Sequence, residues 1–213
     1  IGVLIDTENA VNEDFYKAVG IDLKKLIYMP ITAIEDAYQA IDDIVTTIRT
    51  KHKDKPVVIV LDSIAGASTD MELEEDFSRQ GYSTGKAIIM SKALRKVTNL
   101  IAKQKILLVF TNQLRDKVGE FGFGEKWTTP GGKAEAFHSS CRVKLTPMGK
   151  LTKTIDGVKI VYGVDVEAKI IKNRFGPPHR TARFNVYFSS GIDNYDSLFK
   201  AYGDLKILKK DII

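Results

Sequence analysis

The chain has 213 residues, 44% hydrophobic and 28% charged, which is enough for a domain with a sizeable core and ordinary for a globular protein. The single cysteine, Cys141, excludes an internal disulfide framework, and no apolar stretch reaches the roughly 18 residues a membrane span needs. A formal net charge of +5 leaves two readings open, an anionic partner or a solvated basic surface.

Residues 1–8, IGVLIDTE, are a short apolar run ending on Asp6 and Glu8. In the following NAVNEDFYKAVG, Asn12 is placed to cap a short helix and Gly20 to end it. A second brief run, LIYM, precedes Pro30. From Thr32 the spacing turns helical, with Ile34, Ala37, Tyr38, Ile41, Ile44, Val45 and Ile48 on one stripe, and Thr32 with Glu35 predicts a capping box. After the polar KHKDK turn comes PVVIVLDS, residues 56–63, an uninterrupted Val/Ile/Leu run of the kind a strand buried on both faces requires. A right-handed β-α-β crossover is the natural connection.

Residues 64–85 are small, polar and acidic, and a loop of about twenty residues inside a compact domain is usually functional or mobile. Helical spacing returns in KAIIMSKALRKVTNLIAK, with Ser83 or Thr84 as its cap, and leads into the run ILLVFTNQ, residues 106–113. Residues 114–135 carry five glycines, three aromatics and alternating charge, which disfavours a stable helix or central strand. Phe121, Phe123 and Trp127 fit either of two roles, stacking on nucleic-acid bases at roughly 1–3 kcal/mol each, or filling the core. The last third turns to alternating β runs: CRVKLT and VKIVYGVDVEAKII flank the turn pair Asp156-Gly157, and TARFNVYF follows Gly176-Pro177-Pro178. Asp193 caps a final short helix that Gly203 closes. His52, His138 and His179 stand at unrelated spacings, which speaks against a zinc site and for surface or loop positions. With no repeat and no evident linker, residues 1–213 read as one domain.

The chemistry lies at three strand ends. Sites of open α/β sheets lie beyond the carboxyl ends of the strands, and here three apolar runs deliver Asp6 with Glu8, Asp62 with Ser63, and Asn112 with Gln113 to such ends. An acid after a buried strand is either a Walker-B metal-holding carboxylate or a cap for the next turn. Three such ends together provide a carboxylate for a metal, a carboxylate to polarise water and an amide to sense phosphate.

Taken in order, IDTENA, VVIVLDS, SKALRK, LVFTNQLR, TTPGG, IIKNRFGPP and SGIDNY resemble the RecA family of homologous-recombination ATPases over nearly the whole chain. The bacterial RecA proteins and phage recombinases of the UvsX type share the pattern, and the FxSGIDNY ending is the more phage-like. The resemblance implies an α/β fold, a RecA-like P-loop ATPase core whose mainly parallel sheet is flanked by helices, with an antiparallel β extension near the C-terminus. It implies catalytic roles for Glu8, which activates the attacking water, and for Gln113, which contacts the γ-phosphate. Lys172 and Arg174 match a basic pair that reaches the nucleotide of a neighbouring subunit. ATP and Mg²⁺ are the implied cofactors, with Phe15 stacking on adenine, and Asp62 and Ser63 forming the Walker-B pair that holds Mg²⁺ through water. Residues 68–85 and 114–135 correspond to the two DNA-binding loops, and the implied DNA contacts are Arg95, Arg115, Lys117, Phe121, Phe123, Lys126, Trp127, Gly131, Gly132 and Lys133. The implied partners are single- and double-stranded DNA and further copies in a helical filament with nucleotide at the subunit interface. The implied location is the cytoplasm of a bacterium or a phage-infected bacterium, with no membrane association.

Two departures stand out. The first loop carries Asp70, Glu72, Glu74, Glu75 and Asp76, and Ile88 stands where bacterial members have arginine. No GxxxxGK[ST] occurs in the sequence, so the expectation is a partial core lacking the P-loop and the amino-terminal filament-forming segment. The function expected of the full-length protein is ATP-dependent homologous pairing and strand exchange on DNA, with the fragment alone inactive. The alternatives are a RecA-fold helicase or motor, and a non-catalytic DNA-binding paralogue.

Overall fold

The computed structural model describes residues 1–74, 83–102, 104–116 and 127–204. In chain order the elements are β1 (Gly2–Asp6), α1 (Glu13–Ala18), β2 (Leu26–Pro30), α2 (Ile34–Lys51), β3 (Val57–Asp62), α3 (Asp70–Glu74), α4 (Ser83–Ile101) and β4 (Ile106–Phe110). There follow β5 (Arg115–Asp116), β6 (Trp127–Thr128), α5 (Ala134–His138), β7 (Cys141–Ile155), β8 (Val158–Asn173), β9 (Thr181–Tyr187), β10 (Gly191–Ile192) and α6 (Asn194–Asp204). They form two compact units, Ile1–Val11 with Asp22–His138, and Asn12–Ile21 with Ser139–Ile213.

The first unit is built on a parallel sheet in the order β2-β1-β3-β4. Val3 and Ile5 of β1 and Val57, Ile59 and Leu61 of β3 are at most 2% exposed. They meet the α2 stripe of Ile34, Ala37, Ile41 and Val45 and the Met90, Leu94 and Val97 stripe of α4 in one core. Each such side chain contributes about 1.5–3 kcal/mol by leaving water. The expectation of burial on both faces needs correction here, because the alternate residues Val58, Leu107 and Val109 are 39–57% exposed. Among the described residues both long helices serve the Val3–Ile59 face, and a continuous apolar run does not say which face will be covered.

The start of α2 also differs from the capping box expected of it. Ala33 is the N-cap and makes no side-chain bond. The Ile34 N–H instead donates to the Ser68 carbonyl (2.8 Å), while the Ser68 N–H donates to that of Thr32 (2.9 Å). The reciprocal pair forms one element later: the Thr69 N–H donates to Glu72 Oε2 (2.7 Å) and the Glu72 N–H to Thr69 Oγ1 (3.2 Å). Glu35 accepts the Asp70 N–H (3.3 Å), so the carboxylates of Glu35 and Glu72 both bond backbone N–H groups at the start of α3.

The second unit is an antiparallel sheet in the order β10-β9-β8-β7. Asp156 and Gly157 take φ of 50° and 78°, the left-handed pair that lets a two-residue turn match the strand twist, as the sequence predicts. Since β9 pairs with β8 only from Gly163 onward, the outer part of the β7-β8 hairpin runs on as a two-stranded ribbon. Helix α1 belongs to this unit. Asn12 Oδ1 accepts the Phe15 N–H (3.0 Å), and Gly20 follows at φ 88°, both as expected. Val19 sits against Gly191, where a Cβ would come within 2.7 Å of Val19 Cγ1. Asp193 caps α6 through the Asp196 N–H (3.0 Å), but Gly203 lies inside that helix rather than closing it. No helix among the described residues is long and apolar enough to cross a membrane.

Candidate functional site

Because β1, β3 and β4 are parallel neighbours, their polar ends reach one edge in step: Asp6 lies beside Asp62, and Leu61 beside Phe110. Asp6 is 4% exposed, and its carboxylate is committed to shaping the turn. Its Oδ1 accepts the N–H groups of Glu8 (3.0 Å) and Asn9 (2.9 Å), and its Oδ2 accepts the Tyr28 hydroxyl (3.0 Å). Asn9, at φ 53°, completes the reversal that lifts Glu8 out to the surface.

Thr7 fastens this turn to the end of β3. Its hydroxyl donates to the Ser63 carbonyl (2.6 Å) and accepts the Ser63 N–H (2.9 Å), while its own N–H donates to the Asp62 carbonyl (2.8 Å). The Asp62–Ser63 peptide it holds is cis. Ser63 is 3% exposed, and its hydroxyl donates to Glu8 Oε1 (2.5 Å) while accepting the Gly66 N–H (3.0 Å). Gly66 leaves room for that side chain, since a Cβ there would fall 2.5 Å from Glu8 Cγ. On the other flank the Thr111 hydroxyl donates to Asp62 Oδ1 (2.6 Å). The edge thus presents an oriented, exposed Glu8 carboxylate beside a half-buried Asp62, with Gln113 exposed just past β4.

No group of three or more His, Cys, Asp or Glu side chains among the described residues forms a metal cage. Mg²⁺ keeps several waters and takes one or two carboxylates together with substrate phosphates, and Asp62 is the residue here that would hold it. The sequence contains no GxxxxGK[ST] phosphate-cradling loop.

The predicted DNA contacts fall into two sets. Arg95 on α4 shares one groove with Ser91, Gly131, Lys133, Phe137 and His138. Gly131 takes φ 89°, and a Cβ there would run into the Met90 sulfur, so glycine is required where this segment crosses α4. Gly132 follows, also left-handed, at φ 74°. Arg115 and Trp127, both within the second irregular stretch, stand in the short pair β5-β6, with Trp127 half-buried opposite Asp116. Lys117, Phe121, Phe123 and Lys126 lie outside the described residues.

Three residues escaped the sequence reading, two of them in this region. Phe137 is 72% exposed at the groove and packs edge-on against His138, on a helix too short to show periodicity. Lys86 is 8% exposed, donates to the Ala67 carbonyl across the first irregular stretch, and has its pKa lowered, first by burial and against the pull of Glu72.

The remaining candidates belong to the second unit. Phe15 is 40% exposed on α1. Lys172 stands opposite Arg142 in the β7-β8 register, and burial first, then Arg174 and Arg142, hold its pKa below the usual lysine value. Arg142 is the third missed residue, a member of this cation cluster visible only once the strand register is known. The Arg174 N–H donates to the Ser140 carbonyl (2.9 Å), which fixes the backbone at that point.

A parallel sheet flanked by helices, acids at its carboxyl edge and a following antiparallel sheet define an α/β protein of the RecA-like core class. Residues 1–193 match the family model of the RecA N-terminal domain. The chain is 34% identical over 212 residues to Protein RecA of Chloroherpeton thalassium, covering 99% of this chain and 56% of that protein. It is 35% identical over 210 residues to Protein RecA of Rhodopirellula baltica, covering 99% and 53%, and 33% identical over 210 residues to that of Chlorobaculum tepidum, covering 99% and 57%. The chain belongs to the RecA family, and it spans about half the length of the curated relatives it matches.

Proposed function

We propose that this chain is part of the ATPase core of a DNA recombinase. In this reading the full-length protein polymerises on single-stranded DNA with ATP, pairs it with a homologous duplex, exchanges strands and hydrolyses ATP to let go, in the bacterial or phage-infected cytoplasm. The observation that carries it is the Glu8–Ser63–Asp62 arrangement at the sheet edge, in a chain of this family. Bound Mg²⁺ would neutralise charge on the phosphates. Glu8, aimed by Ser63 and given room by Gly66, draws a proton from the attacking water; Asp62, steadied by Thr111, would hold the metal. Lys172 and Arg174 act toward the nucleotide of an adjoining copy, Phe15 toward its base, and Gln113 toward its last phosphate. Arg95, Gly131, Gly132 and Lys133 contact the DNA backbone, as do Arg115 and Lys117, with Trp127, Phe121, Phe123 and Lys126 completing the second loop's contacts.

Glu8→Gln in the full-length protein tests this reading. The variant is expected to keep ATP-dependent binding to single-stranded DNA and to lose hydrolysis by about 10²-fold or more, the scale of a general base. Normal turnover by the variant would remove Glu8 from the mechanism.

A further inference from the structure

The buried stripe of α4, Met90, Leu94 and Val97, extends one turn back to Lys86, which is 8% exposed. An amine is an unfavourable occupant of that position. Burial strips its water, and the first turn of a helix is the positive end of the backbone dipole. Methionine, used one turn on at Met90, would fill the stripe without either penalty. The amine makes a contact that methionine cannot: Lys86 Nζ donates to the Ala67 carbonyl.

Ala67 closes a short turn on which the Glu8 carboxylate depends. Its N–H donates to the Ser63 carbonyl (3.3 Å), the same oxygen that accepts the Thr7 hydroxyl (2.6 Å), and the Ile64 N–H donates to the Thr111 carbonyl (3.0 Å). Inside the turn the Gly66 N–H donates to Ser63 Oγ (3.0 Å), which donates in turn to Glu8 Oε1 (2.5 Å). The missing Cβ of Gly66 leaves the space that the Glu8 stem occupies. The turn is thus tied to the end of β1 through Thr7, to the end of β4 through Thr111, and to α4 through Lys86. We propose that Lys86 is a positioning residue for ATP hydrolysis: by gripping the Ala67 carbonyl it fixes the peptide next to Gly66 and, through Gly66 and Ser63, the direction of Glu8. It acts through the turn and not on the nucleotide. This inference rests on the functional reading in which Glu8 activates the attacking water.

The test uses the full-length protein as wild type, Glu8→Gln, Lys86→Met, Lys86→Arg, Gly66→Ala and the Lys86→Met/Gly66→Ala double variant. Melting is measured without ligands, and hydrolysis is measured on saturating single-stranded DNA over a range of ATP concentrations. Lys86→Met is expected to melt at the wild-type temperature or above it and to keep the KM for ATP, while kcat falls by about tenfold or more, the scale of a misaimed reacting group. Lys86→Arg, which restores an N–H donor, should turn over at least about threefold faster than Lys86→Met. The double variant should lose no more than the worse single variant, since both displace the same carboxylate. An unchanged kcat in Lys86→Met, an arginine variant no better than the methionine one, or additive losses would overturn the proposal. So would a Lys86→Met protein that melts well below wild type with KM raised as well, which marks a purely structural lysine. Normal turnover by Glu8→Gln would overturn the functional reading, and this inference with it.

Discussion

Glu8 is an exposed side chain with an imposed direction. A free surface glutamate samples many rotamers, but here the Ser63 hydroxyl donates to it and Gly66 leaves the space its stem occupies. Gly66→Ala would place a Cβ 2.5 Å from Glu8 Cγ, 3.1 Å from Oε1 and 3.2 Å from Cδ, and the carboxylate would have to swing off Ser63. Hydrolysis by the full-length protein is expected to fall by roughly 10–10²-fold, the range associated with misplacement by about an ångström, with melting temperature and DNA binding retained. Single-turnover hydrolysis measures this, and an unaffected rate would mean that the Ser63 contact does not set the reacting geometry. Glu8 and Asp62 were legible in the sequence because each ends an apolar run. The roles of Thr7 and Ser63 were not, because they exist only where β1 and β3 lie side by side, fifty-odd residues apart in the chain. Arg142 was hidden for the same reason: it joins Lys172 through strand register alone.

Among the elements, most of those with local causes were read correctly, Gly203 inside α6 being the exception, and those with distant causes were not. Asn12 before α1, the Asp156-Gly157 turn and Asp193 before α6 each act within a few residues, and each does what the sequence predicts. The start of α2 looked equally local, but Ser68 arrives from beyond β3 and supplies the backbone groups instead of Thr32 and Glu35. The Tyr38 stripe was legible as core, as the structure shows. Helix α6 offers an element-scale prediction. The Asp196 N–H first, and the Tyr187 hydroxyl next, hold the Asp193 carboxyl below its ordinary pKa, while the bond to Asp193 raises that of Tyr187. A depressed acid contributes stability that is complete above its unfolded pKa and is lost as pH falls through the folded value. A raised tyrosine contributes stability that is complete below its unfolded pKa and is lost as pH climbs through the folded one. Melting of wild type should therefore decline both below about pH 4 and above about pH 10. Asp193→Asn, which still caps a helix, should flatten the acid limb. An acid limb of unchanged depth would assign the loss to other carboxylates.

At the scale of the whole chain, each unit draws on sequence from both sides of the other's: the chain passes between them after Val11, after Ile21 and after His138. The contact of Val19 with Gly191 shows what holds the excursion in place. Gly191 has φ 77°, and a Cβ there would lie 2.7 Å from Val19 Cγ1. Gly191→Ala is expected to cost about 1–3 kcal/mol through backbone strain and crowding, and Val19→Ala in that background to restore about 0.5 kcal/mol or more. A double-mutant cycle by urea melts measures the coupling, and strictly additive effects would mean α1 does not depend on β10. The same arrangement has a consequence during synthesis. Helix α1 has six residues, too few to persist alone in water, and its Phe15 and the following Val19 leave the ribosome before β10. At 5–20 residues per second, β10 is made roughly 170 residues later, so the nascent helix goes without its partner for about 10–35 s, long enough for a holding chaperone to find it.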